Sequence, residues 1–81
     1  MYNPILITGG SGFIGANLVR RLVSDGREVH LILRNEADIW RLEDVLDKVK
    51  VYKADLTNKE QIKSIIQKIR PKTIFHLAAY G

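Results

Sequence analysis

No cysteine occurs in the sequence, so disulfides and thiolate chemistry are excluded. His30 and His76 are the only histidines, too few for an ordinary zinc site. Aromatic residues make up 7% of the chain and prolines number two. No run approaches the roughly 20 apolar residues that a membrane helix needs, and no basic segment leads into a long apolar one at the start. These absences predict a cytoplasmic protein in a reducing compartment, without membrane contact. The net charge of +4 suggests an acidic partner, yet Lys and Arg are spread from Arg20 to Lys72 with acids among them. That is a solvated surface, and no nucleic-acid partner is expected. What is present, 46% hydrophobic and 27% charged residues in 81, suits one small globular domain with a thin core.

The most informative stretch is Ile5-Leu6-Ile7-Thr8-Gly9-Gly10-Ser11-Gly12-Phe13-Ile14-Gly15. An apolar strand runs into a glycine-rich turn, and a helix starts inside the glycines. Gly9, Gly10 and Gly12 are predicted to take positive φ and to let a ligand approach the backbone. Unpaired amides at the helix start then point at an anion, with the favourable end of the helix dipole behind them. Gly15, one turn in, lets the helix press on the strand or the ligand. A P-loop is excluded because no Gly-Lys-Ser or Gly-Lys-Thr follows. A plain turn joining strand to helix is the alternative.

Along the chain, Ile14, Leu18 and Leu22, flanked by Val19 and Val23, recur at helical spacing, and Ser24-Asp25-Gly26 supplies a stop. Val29 to Leu33 reads as a parallel strand covered on both faces. Ile39, Leu42, Val45, Leu46 and Val49 predict a second amphipathic helix with Trp40 on its flank. Val51 to Ala54 reads as an edge strand. Thr57 and Glu60 have capping-box spacing and predict the start of a third helix, with Ile62, Ile65, Ile66 and Ile69 inward and Arg70-Pro71 as its end. Thr73 to Leu77 reads as a fourth strand. The fold class is therefore α/β, a Rossmann-like doubly wound parallel sheet of βαβαβαβ organisation and strand order 3-2-1-4. Its ligand crevice is expected at the carboxyl ends of strands 1 and 4.

Thr8 to Gly15, Asp55-Leu56 after strand 3, and His76-Leu77-Ala78-Ala79 after strand 4 together resemble the start of an extended short-chain dehydrogenase/reductase. Within that group the chain is similar to the NAD(P)-dependent epimerase/dehydratase family that acts on nucleotide sugars. The Gly-x-x-Gly-x-x-Gly spacing is the form of that superfamily. The resemblance implies that Gly9, Gly12 and Gly15 shape a pyrophosphate loop, with the amides of Phe13 and Ile14 facing the phosphates. It implies that Asp55 accepts from the adenine amino group, that the Leu56 backbone meets the ring edge, and that Ala78 and Ala79 lie along the cofactor. Asp55 also has a second reading, as a turn residue before a Thr57 cap, and the alanines as ordinary packing. His76 is expected to be packed and hydrogen-bonded, with no chemistry assigned.

Where NAD-preferring folds place an Asp or Glu at the end of strand 2, this chain has Arg34-Asn35, and the first acid is Glu36. A guanidinium can fork onto a 2′-phosphate, whereas nothing at Arg34 can accept from a 2′-hydroxyl. The expected cofactor is NADP in preference to NAD, the alternative being a solvated Arg34.

The resembled family works through a Tyr-x-x-x-Lys pair, whose Lys lowers the Tyr pKa. Here Tyr2 and Tyr52 are followed four residues later by Leu6 and Leu56, and Tyr80 is one residue from the end. No catalytic residue is therefore assigned. Residues 1–81 are read as an N-terminal dinucleotide-binding half-domain, without the substrate and catalytic part, that binds the ADP half of the cofactor. The rival is a stand-alone or designed small Rossmann module that binds nucleotide or self-assembles without catalysis. Strand 4, lacking a fifth strand beside it, is expected to self-associate, most simply as a homodimer.

Overall fold

The computed structural model describes residues 3–77. Four parallel strands, β1 (Ile5–Thr8), β2 (Val29–Leu33), β3 (Lys50–Lys53) and β4 (Thr73–His76), form one sheet in the order β3-β2-β1-β4. Two helices, α1 (Phe13–Ser24) and α2 (Lys59–Ile69), complete the regular structure together with 3-10 turns at Trp40–Leu42 and Leu46–Lys48. The predicted strand order holds, and the third and fourth strands end one residue earlier than expected.

Every residue of β1 and β2 is buried, which is why both read as largely apolar runs, with Thr8 and His30 the polar residues among them. Side chains alternate across the sheet. Ile5, Ile7, Val29, Leu31 and Leu33 meet Ala16 and Val19 of α1 on one face, and Leu6 and Ile32 meet Ala54 and Ile69 on the other. Burying a Val, Leu or Ile side chain in these layers contributes about 1.5–3 kcal/mol each.

The predicted second helix is not an α-helix. Asp38 accepts a hydrogen bond from the Trp40 amide (3.2 Å), and the backbone at Ile39 (ψ 11°) and Val45 (ψ 0°) is non-helical, so the chain advances by short turns. Leu42 and Val45 still reach the core, because apolar residues three apart share a face in 3-10 geometry as well. The capping box is also corrected. Asn58, not Thr57, caps α2, its side chain accepting from the Gln61 amide at 3.1 Å. α2 ends as expected at Arg70, which takes the left-handed conformation (φ 54°) before Pro71.

Two histidines are tied into the sheet. His30 is buried, with Nδ1 3.0 Å from the Tyr52 hydroxyl and Nε2 2.6 Å from Glu28. In the β2–β3 register Tyr52 faces Ile32, two residues beyond His30, so the rings stack across the strands on one face. His76 pairs with Thr8 in register, its Nδ1 2.6 Å from the Thr8 hydroxyl oxygen, so the hydrogen bond expected for it is present, but the residue is exposed rather than packed, because β4 lies at an edge of the sheet. Among the described residues no helix is long and apolar enough to cross a membrane.

Candidate functional site

β1 lies between β2 and β4, and the strand order reverses there. Loops leaving the carboxyl ends of β1, β2 and β3 therefore gather at one end of the sheet, where doubly wound folds bind ligands. The glycine loop forms the first wall. Gly9 has φ 77° and turns the chain out of β1, while the Ala16 amide bonds the Gly12 carbonyl (2.8 Å) to begin α1. The amides of Phe13, Ile14 and Gly15 have no carbonyl one turn back to accept from them, and so suit an anion. Neither an acid in the first turn nor a capping side chain competes for the position.

The glycines differ in their reasons. Gly10 and Gly12 do not take positive φ, contrary to the sequence expectation, and Gly12 is extended (φ −75°, ψ 175°). Gly10 is small because a Cβ there would lie 3.2 Å from Leu31 Cδ2 and 3.4 Å from Val19 Cγ2. Gly15 is small because its Cβ would come within 2.8 Å of the Gly10 Cα. At Gly12 a Cβ would meet nothing within 4 Å, so packing does not require that glycine, and room for a ligand remains above it. Phe13 and Ile14 are 70% and 75% exposed, which removes Ile14 from the inward face proposed for α1 and leaves both at the mouth of the loop.

Arg34, Asn35 and Glu36, following β2, and Asp55, following β3, line a cleft of about 250 Å³. Asp55 Oδ1 accepts from both the Thr57 amide (2.9 Å) and the Thr57 hydroxyl (2.8 Å), while Oδ2 takes part in neither bond. Asp55 thus shapes the turn, though before an Asn58 rather than a Thr57 cap, and it also lines the cleft. Its pKa is lowered chiefly by the Thr57 amide, then by the Thr57 hydroxyl, with a smaller pull from the Arg34 charge. Leu56 is half-buried under the same turn and packs against α2. The structure therefore brings Arg34, Asn35 and Asp55 together, with Gly9, Gly12, Phe13, Ile14 and Gly15 on the adjoining loop. Ala78 and Ala79 lie outside the described residues. Among those residues no cluster of His, Asp or Glu is placed to hold a metal.

A further feature was not legible in the sequence. Arg20 of α1 reaches the segment between β2 and β3, with Nε 2.9 Å and Nη2 3.0 Å from the two Asp44 carboxylate oxygens, and Nη2 also donates to the Arg41 carbonyl. No local spacing marks residues 24 apart as partners.

The GDP-mannose 4,6 dehydratase family model matches residues 6–81. UDP-glucose 4-epimerase of Mycolicibacterium smegmatis is 35% identical over 79 residues, covering 91% of this chain and 24% of the relative. Dihydroflavonol 4-reductase of Gerbera hybrida is likewise 35% identical over 80 residues, covering 91% and 21%. UDP-glucose 4-epimerase of Thermus thermophilus, solved in complex with NAD, superposes with a TM-score of 0.83 at 32% identity, covering 96% of this chain and 24% of that one. The chain thus spans about a fifth to a quarter of the length of these relatives.

Proposed function

Because the chain belongs to the GDP-mannose 4,6 dehydratase family, we propose that it binds the ADP side of a nicotinamide dinucleotide as the cofactor-binding part of an enzyme acting on nucleotide sugars. The observation that carries this reading is the convergence of the glycine loop with the Arg34–Asp55 cleft at the end of the sheet where the strand order reverses. A diphosphate fits the amides of Phe13 and Ile14, above a Gly12 with no side chain to obstruct it. The adenosine then reaches the cleft, where Asp55 Oδ2 accepts from the adenine amino group, the Leu56 backbone meets the ring edge, and Arg34 and Asn35 meet the ribose.

The cofactor we favour is NADP. Arg34 is exposed at the cleft and can fork onto a 2′-phosphate. The second reading is NAD, favoured by Glu36 in the same cleft, whose carboxylate can accept from ribose hydroxyls and repels a phosphate. The solved relative from Thermus thermophilus also carries NAD.

The chemistry of the whole enzyme would be hydride transfer between nicotinamide and a sugar carbon. The present chain, with no Tyr-x-x-x-Lys pair, would bind cofactor and catalyse nothing. Parallel calorimetric titrations of the 81-residue chain with NADP and NAD at low salt test the reading. Tighter binding of NADP supports both the loop and Arg34. Tighter NAD binding supports the loop and overturns the Arg34 argument, while binding of neither, or NADPH-dependent turnover by the chain, overturns the proposed role.

A further inference from the structure

The segment from Arg34 to Val49 opens with the cleft residues and, in place of an α-helix, consists of successive turns. Backbone bonds run from the Ala37 amide to the Arg34 carbonyl (3.1 Å), from Leu42 to Ile39 (2.9 Å) and from Val45 to Leu42 (2.9 Å). Such a chain of turns lacks the continuous hydrogen-bond ladder that makes a helix stiff. Its inner side is anchored by Leu42 and Val45 in the core. Its outer side is held by Arg20. The Arg20 guanidinium uses its nitrogens on both oxygens of Asp44, on the Arg41 carbonyl and on Asn17 Oδ1 (3.3 Å).

An ion pair this exposed adds little to global stability. Its distinguishing property is what it joins. Arg20 stands on the helix whose first turn opens the anion site, and its partners stand on the segment that begins with Arg34 and Asn35. The planar fork fixes direction as well as distance, which a point charge does not.

We propose that Arg20, through Asp44 and the Arg41 carbonyl, is a positioning residue for the ribose side of the cofactor, locking the 34–49 segment against α1 so that diphosphate and ribose contacts are made together. This rests on the cofactor reading above. Arg20 and Asp44 touch no ligand in this arrangement; they set where Arg34 and Asn35 stand relative to the phosphate loop.

The test compares three probes that differ only at the ribose 2′ position: adenosine 5′-monophosphate, its 2′-deoxy form and its 2′-phosphorylated form. Affinities are measured on the wild-type chain, Arg20→Met and Asp44→Asn. Both variants are expected to lose roughly fivefold in discrimination between the 2′ substituents, while affinity for the 2′-deoxy probe changes less than about twofold. Asp44→Asn separates positioning from simple charge. Removing an acid strengthens binding of the 2′-phosphorylated probe if only the local field matters, and weakens it if the fork positions Arg34. Tighter binding by Asp44→Asn, or unchanged discrimination in both variants, overturns the proposal and leaves the cofactor reading intact. A wild-type chain that binds the probes without regard to the 2′ substituent overturns the ribose assignment and the proposal with it. A wild-type chain that binds none overturns the cofactor reading itself.

Discussion

Gly15 stands so close to Gly10 that a Cβ built on it would lie 2.8 Å from the Gly10 Cα and 3.0 Å from the Gly9 carbonyl oxygen. Those atoms are backbone and cannot swing aside, so Gly15→Ala must displace α1 from the loop, and overpacking of this kind costs typically about 1–3 kcal/mol. Gly12 behaves oppositely. It is extended, has open space above it and occupies the helix N-cap, where Ser is preferred to Gly by a few tenths of a kcal/mol. Gly12→Ser is expected to leave stability unchanged or slightly raised while weakening dinucleotide binding, because its side chain enters the space assigned to the phosphate. Denaturant unfolding paired with calorimetry checks both. Normal affinity in Gly12→Ser would remove the phosphate from that space.

Helix α2 gives a test of which residue caps it. Asn58→Ala removes the acceptor for the Gln61 amide and is expected to cost about 1 kcal/mol. The sequence pattern Thr57-x-x-Glu60 pointed instead to Thr57, whose hydroxyl donates to Asp55, while the Gln61 amide of the helix is accepted by Asn58. Thr57→Ala should therefore lower the denaturant midpoint by less than Asn58→Ala does. Equal loss in the two variants would restore the capping box.

What could be read from the sequence and what could not divides along the range of the interactions. Ile5 to Thr8 and Val29 to Leu33 were legible as strands because burial on both faces leaves no polar alternation to confuse them. The glycine loop was legible because Gly9 takes a positive φ and Gly10 and Gly15 have no room for a Cβ, demands that only glycine meets. The segment after Arg34 was misread because Ile39, Leu42 and Val45 occupy one face in either an α-helix or a run of 3-10 turns, and the Asp38 bond to the Trp40 amide decides between them. His30, Tyr52 and Glu28 gave no signal, since their meeting depends on the β2–β3 register. Arg20 and Asp44 meet only because the sheet folds α1 and the turns onto the same face.

Tyr52→Phe is expected to destabilise the chain by about 1–3 kcal/mol, because it strips the partner from His30 Nδ1 and leaves a polar atom buried and unsatisfied. In a domain of this size that corresponds to a fall in Tm of roughly 4–8 °C per kcal/mol. Thermal unfolding followed by circular dichroism reads it. A variant as stable as the wild type would mean that water replaces the hydroxyl without cost.

The two shifted carboxylates predict a response to acid. Hydrogen bonds from Arg20 lower the Asp44 pKa, and those from Thr57 lower that of Asp55, both from an ordinary 3.8. A depressed carboxylate contributes its stabilisation fully above the unfolded pKa and loses it as pH falls through the folded value. Stability conferred by these groups is therefore constant from neutral pH down to about 4–5 and declines below it. Comparing wild type with Asp44→Asn across this range should show their difference in stability shrinking only in the acid limb. A difference that changes between pH 6 and 8 would assign the effect to other groups.

Finally, β4 forms an edge of the sheet, hydrogen-bonded to β1 on one side, with Ile74 51% exposed on it. An edge that offers backbone donors and acceptors beside an apolar side chain is a template for a further strand. We propose that in the 81-residue chain a second copy fills that role. Ile74→Lys places a charge at the contact while keeping the strand's backbone, and it is expected to shift the chain from dimer to monomer in light scattering without lowering its Tm by more than about 2–4 °C, since the residue is half exposed. The outer strand β3 already carries Lys50 and Lys53, both exposed, and so is protected against the same pairing. A wild-type chain that scatters as a monomer at millimolar concentration would show that the unpaired edge is tolerated in water.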